Sequence, residues 1–83
     1  LQLLGLVLAA RGNLVEAADL TERAIEIGGD NPAILNNLGE IRRQQNELAA
    51  AETALRRAIE LAPKFVEAHY NLGLVKKSQE LLD

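Results

Sequence analysis

His69 is the one histidine of the chain, and it stands beside Tyr70 and Asn71 in the stretch Glu67-Ala68-His69-Tyr70-Asn71-Leu72-Gly73. A histidine works as a general base only with a nucleophile or an acid in reach. No Ser/His/Asp set, carboxylate constellation or phosphate-binding loop accompanies it. Cysteine is absent, which excludes disulfides and thiolate metal sites. One imidazole is too few for a zinc site of the usual kind. No catalysis, no metal and no cofactor are expected. What remains is amide chemistry. Asn37 lies in NNLGE at 36–40, and Asn71 lies in YNLGL at 70–74. An asparagine facing a groove donates and accepts at once, so it can hold a peptide backbone whatever the side chains are.

Composition narrows the partner. The net charge is −3, with both signs interspersed. Nucleic-acid binding would need a basic stripe, so neither a nucleic acid nor a membrane surface is expected. The longest apolar run, LVLAA at 6–10, is far too short to span a bilayer. The opening LQLLGLVLAARG has the apolar stretch of a signal peptide but no basic residues before it. Methionine is absent, so Leu1 is not a natural start and the chain reads as a piece of a longer, cytoplasmic protein. At 83 residues a single core stabilises only modestly.

The elements that must position these residues follow from an internal repeat. Gly5, Gly39 and Gly73 stand 34 residues apart, as do Leu4, Leu38 and Leu72. The same offset links Leu14 to Leu48, Ala17 to Ala51, Ala24 to Ala58, Ile25 to Ile59 and Glu26 to Glu60. Within each period apolar residues recur at three and four, the amphipathic helix pattern. Breakers divide each period in two. RGN at 11–13 is expected to end a first helix, with Asn13 and Glu16 forming a capping box for the second. GGDNP at 28–32 ends that second helix, and Pro32 suits the first turn of the third. Asn46 takes the next left-handed turn. APKF at 62–65 ends the fourth helix, and a fifth begins near Val66. Nothing alternates with period two. Gly39, Gly73, Ala51 and Ala58 recur where paired helices must approach closely, since a larger residue there typically costs about 1–3 kcal/mol. Glu80 disfavours the left-handed turn due near the end of the chain, so the fifth helix is expected to run on towards Leu81. That would leave a strip with Leu72, Val75 and Leu82 uncovered.

A 34-residue helix–turn–helix period, with Leu-Gly in the first helix, spaced alanines in the second and Pro63 after it, resembles the tetratricopeptide repeat. The resemblance covers the whole chain. It implies an all-α, right-handed solenoid of antiparallel helix pairs with five helices. Repeat one would be 1–31 with its start missing, repeat two 32–65, and 66–83 the first helix of repeat three. There are departures. Leu8, Arg42 and Lys76 stand where the family often has an aromatic, and Thr21 stands where repeat two has Leu55. A weaker likeness is to the repeat arrays of bacterial O-linked N-acetylglucosamine transferase-like proteins, whose asparagine ladder Asn37 and Asn71 fit and Leu3 breaks.

The resemblance implies that first helices line a concave groove that binds a peptide segment or a helix of a partner protein. The residues it places there are Gln2, Leu3, Leu6, Ala33, Asn36, Asn37, Glu40, Arg43, Gln44, Glu67, Tyr70, Asn71, Leu74 and Lys77. The competing role for Asn37 and Asn71 is to bond neighbouring helices. The family's clamp for acidic chaperone tails is not expected: Gln2 and Leu6 replace its first pair, Glu67 reverses a later cation, and a bound carboxylate needs charged donors. In this family the place of His69 holds a ring packed between helices, the preferred reading here. Tyr70 is a groove anchor or a packing residue. Glu22, Glu26, Glu52, Arg56 and Glu60 read as a solvated outer face with Glu52–Arg56 and Arg56–Glu60 pairs. Alternatives to a simple binding module are a substrate-presenting fragment of a larger glycosyltransferase- or sulfotransferase-like enzyme, and a self-assembling scaffold joined through the uncovered fifth helix.

Overall fold

The computed structural model describes the backbone of residues 2–82 and the side chains of residues 12–82. Over that range the chain is all-α, with α1 at Gln2–Gly28, α2 at Pro32–Gln44, α3 at Leu48–Leu61 and α4 at Val66–Leu82. There are four helices among the described residues, not the five expected. The difference lies at RGN, where α1 runs straight through and the Asn13–Glu16 capping box does not form. Neither Gly12 nor Asn13 has a positive φ. A glycine inside a helix costs about 1 kcal/mol, whereas a turn gives up intrahelical bonds and is favoured only if its two arms bury apolar surface together. Repeat one offers a weak second arm. Thr21 stands where α3 has Leu55, and its hydroxyl donates to the Ala17 carbonyl of its own helix at 2.6 Å.

The other breakers act as the sequence implies. Gly29 leaves α1 with φ 82°. Asn31 caps α2, its Oδ1 accepting from the amides of Ala33 at 2.9 Å and Ile34 at 3.2 Å, and Pro32 fills the first helical turn. Asn46 adopts φ 63°. The Glu47 amide then bonds the Arg42 carbonyl at 2.8 Å and the Asn46 amide bonds the Arg43 carbonyl at 2.9 Å. This is a Schellman closure with asparagine in the glycine position. Residues 62–65 separate α3 from α4, and α4 continues to Leu82 with no positive φ at Glu80.

The core is built on α3. Ala51, Leu55 and Ala58 are fully buried, and Leu35 of α2 with Ala68 and Val75 of α4 close around them. Ile25, Ile59, Phe65 and Leu72 pack on its margin. A Cβ on Gly39 would fall 2.5 Å from Leu55 Cγ, so α2 can lie this close only because Gly39 has none. At Gly73, one period later, nothing lies within 4 Å of the same position. The expected uncovered strip needs one correction: Val75 is fully buried, while Leu72 is half-buried and Leu82 exposed.

Ion pairs tie the helices together. Arg42 of α2 pairs with Glu22 of α1, and Arg57 of α3 reaches Asp30 at 2.8 Å. Glu52 of α3 accepts from Arg56 at 2.7 Å and, across to α4, from Lys76 and Gln79 at 3.0 Å each. The expected Arg56–Glu60 pair is replaced by Arg57–Glu60 at 3.2 Å.

Two outcomes follow. Gly39→Ala forces a methyl into buried Leu55 and should destabilise by about 1–3 kcal/mol, while Gly73→Ala, a helix-interior change into open space, should stabilise by about 1 kcal/mol. Denaturant midpoints of the two variants should therefore move in opposite directions. The donors around Glu52, Arg56 foremost, depress its carboxyl from 4.5 to about 2. A depressed acid stabilises the fold fully above its unfolded pKa and loses that contribution as pH falls through the folded one. Acidifying from above pH 4.5 to about pH 2 should lower the unfolding midpoint of the natural chain more than that of Glu52→Gln.

Candidate protein-binding face

Asn36, Asn37, Glu40, Arg43 and Gln44 recur at three and four along α2, and Glu67, Tyr70, Asn71, Leu74 and Lys77 do so along α4. Such spacing gives each helix one face. The two faces adjoin through one bond: Asn71 Nδ2 donates to Asn36 Oδ1 at 3.0 Å. Asn36 is only 5% exposed. It was expected to face a partner, and its side chain instead lies beneath the surface as the acceptor for Asn71. The in-register pair Asn37 and Asn71 does not form a ladder of its own, because the bond runs from Asn71 to the neighbour of Asn37. Asn37 is exposed.

The charges on this face largely satisfy each other. Arg43 donates to Glu40 through Nε at 3.2 Å and through Nη2 at 2.5 Å, and Gln44 Nε2 adds a bond at 3.0 Å. The Arg43 hydrogen bond holds the Glu40 carboxyl below its ordinary range although partial burial opposes this, and the same bond raises Arg43. Tyr70 of α4 lies near enough to Arg43 for its ionised form to add to that rise. Tyr70 is 68% exposed and is not packed between helices. Ala33, Gln44, Glu67 and Lys77 are exposed, and Leu74 is half-buried. The side chains of Gln2, Leu3 and Leu6 lie outside the described residues. The arrangement can offer amide groups and an aromatic ring to a neutral backbone, with few unpaired cations for an acidic ligand.

His69 is exposed and not packed between helices as expected. Its Nε2 donates to the Pro63 carbonyl at 2.7 Å. Among the described residues no group of His, Asp or Glu is placed to hold a metal ion, and no helix is long and apolar enough to cross a membrane.

Sequence reasoning missed two grooves on the opposite side of α2 and α4. One, of about 540 Å³, has Ile25, Leu35, Leu38 and Ala54 as its floor and Glu22, Arg42 and Arg57 on its rim, and it is bounded by α1, α2 and α3. The other, of about 360 Å³, is lined by Arg56, Ile59, Glu60, His69 and Leu72. Each of these residues stands 34 positions after a residue lining the first groove. Ala50 and Ala54, small residues on α3 where larger ones would close the first groove, were the available signal.

The Asn36–Asn71 bond can be tested for its share of stability. A double-mutant cycle with alanine at both positions should give a coupling of about 0.5–1.5 kcal/mol, and Asn37→Ala should change stability by less than about 0.5 kcal/mol. Urea titration of the natural chain, the three variants of the cycle and Asn37→Ala measures both.

No curated protein and no solved structure matches the chain significantly. A family model described as TPR repeat matches residues 39–79. Repeats of this family generally mediate protein–protein interaction and are typically non-catalytic. The match takes in Gly39, the left-handed Asn46, all of α3 and most of α4, and with these the chain is a tetratricopeptide-repeat protein.

Proposed function

We propose that the chain binds a segment of a partner protein, as an extended peptide or a helix, along the face shared by α2 and α4. In this reading the face is the concave groove of a right-handed solenoid divided at 1–31, 32–65 and 66–83. The observation that carries the reading is the Asn71–Asn36 bond. It joins two first helices edge to edge and leaves the exposed amide of Asn37 and the exposed ring of Tyr70 beside it. Aromatic side chains with a polar tip dominate binding energetics where they are presented at a surface. The Glu40–Arg43 pair is internally neutralised, so recognition rests on amide bonds and the Tyr70 ring and not on net charge. An acidic tail is disfavoured, because no cluster of free cations lies on this face among the described residues.

The test is capture of partners from a lysate with the natural chain, followed by calorimetry on the isolated segment. Tyr70→Ala should weaken binding by about 2 kcal/mol or more, and Asn37→Ala by about 1 kcal/mol, with helix content unchanged. A dissociation constant unaltered by both changes would overturn the reading.

A further inference from the structure

The larger groove is walled by α1 and α3 and floored by α2. Both walls pack on α2, and among the described residues their Cα atoms nowhere come within 8 Å of one another. Ile25, Leu35 and Leu38 therefore lie at the bottom of a trench of about 540 Å³, and Ala50 and Ala54 keep its α3 wall low. Leu35 and Arg42 both line it, so it follows α2 for about 10 Å, or roughly two helical turns.

The rim makes the occupant a macromolecule. Glu26, Ala50, Thr53 and Arg57 are all exposed, and so open a trench cannot enclose most of a ligand's surface, as small-molecule sites do. The walls decide the conformation of that occupant. Their backbone groups are bonded within helices, and the Thr53 hydroxyl already donates to the Ala49 carbonyl at 3.0 Å. An extended strand would lower unpaired amides onto leucine, isoleucine and alanine, which is costly. A helix bonds its own backbone and presents side chains at i, i+3 or i+4 and i+7, a spacing that fits two turns.

Charge decides what flanks those side chains. Val15, Asp19, Glu22 and Glu26 follow one another along one edge of α1 at helical spacing. Glu22 is paired with Arg42. Asp19 and Glu26 are exposed and have no ion-pair partner among the described residues. At the far end Arg57 serves both Asp30 and Glu60, one guanidinium for two carboxylates. Arg56, the next cation of α3, is held by Glu52, and Arg23 lies further round α1, about 100° from Glu22. The α1 edge of the trench is therefore acidic, and the cations that line the trench are already engaged. We propose that this trench receives a basic amphipathic helix of a partner protein, with apolar side chains down on Ile25, Leu38 and Ala54 and lysines or arginines against Asp19 and Glu26. The trench lies on the opposite side of α2 from the Asn36–Asn71 bond, so it is a second docking surface, independent of the α2–α4 face.

Fluorescence anisotropy with two synthetic stapled helices tests this. Both carry leucines at i, i+4 and i+7; one has lysines at the flanking positions and the other glutamates. The natural chain should bind the lysine helix, and the glutamate helix roughly tenfold more weakly. Ala50→Arg obstructs the trench from an exposed position and should weaken binding of the lysine helix roughly tenfold. Thr53→Arg, at the next exposed position of the same wall, repeats that test. Asp19→Lys and Glu26→Lys should each weaken it roughly three- to tenfold, as expected when an exposed ion pair becomes a repulsion. Glu80→Lys makes the same change of charge on exposed surface outside the trench and should alter affinity by less than about twofold. Circular dichroism should show helix content retained in every variant. Equal affinity for the two helices, no binding of the lysine helix, binding that survives both arginine variants, or equal losses in Glu26→Lys and Glu80→Lys overturns the proposal. Loss of binding in Tyr70→Ala would place the helix on the α2–α4 face and overturn it as well.

Discussion

The contact of Gly39 with Leu55 is the constraint from which the rest of the structure follows. The absence of a side chain at Gly39 lets α3 lie against α2 with Leu55 fully buried, and at that separation Ala51 and Ala58 also lose all contact with solvent. Close packing multiplies weak dispersion contacts that a gap of even half an ångström would forfeit. With α3 held in this place, its other side receives Ala68 and Val75 of α4. Only then does α4 run beside α2 closely enough for Asn71 to reach Asn36. The polar bond on the candidate binding face is thus a distant consequence of a missing methyl group in the core.

The α2 helix separates two surfaces of different chemistry. Towards α4 it carries amides and a compensated ion pair, Glu40 with Arg43. Towards α1 and α3 it carries Leu35 and Leu38, which floor an apolar groove. The first surface is adapted to solvent when empty, because its charges are paired and its buried amide has a partner. The second is apolar and gains by being covered. At α4 the same division recurs, with Tyr70 and Asn71 on one side and Leu72 on the other.

The candidate site was only partly legible in the sequence. The spacing placed Glu40, Arg43, Gln44, Tyr70 and Asn71 on two helical faces, and those positions follow from helix geometry alone. Which of two adjacent asparagines is buried did not follow. Asn36 and Asn37 differ by about 100° around the helix, and the packing of α4 on α2 decided that Asn36 turns inward. His69 illustrates the same limit. The resemblance implied a packed ring, yet the imidazole is exposed and bonds the Pro63 carbonyl.

By itself the sequence determined that the chain is helical, where three of its helix ends fall and which side chains make the core of α3. These depend on local physics: the period of apolar residues, the positive φ open to Gly29 and Asn46, and the fixed φ of Pro32. Tertiary structure decided the rest. Gly12 and Asn46 occupy equivalent places, yet only Asn46 turns, because α2 and α3 bury Leu35 and Leu55 between them and repeat one has Thr21 in place of that leucine. Gly39 and Gly73 are the same residue in the same motif, yet one is sealed by Leu55 and the other faces open space. A local pattern sets what a residue is able to do, and the presence or absence of a neighbour within van der Waals distance sets which of those possibilities is realised.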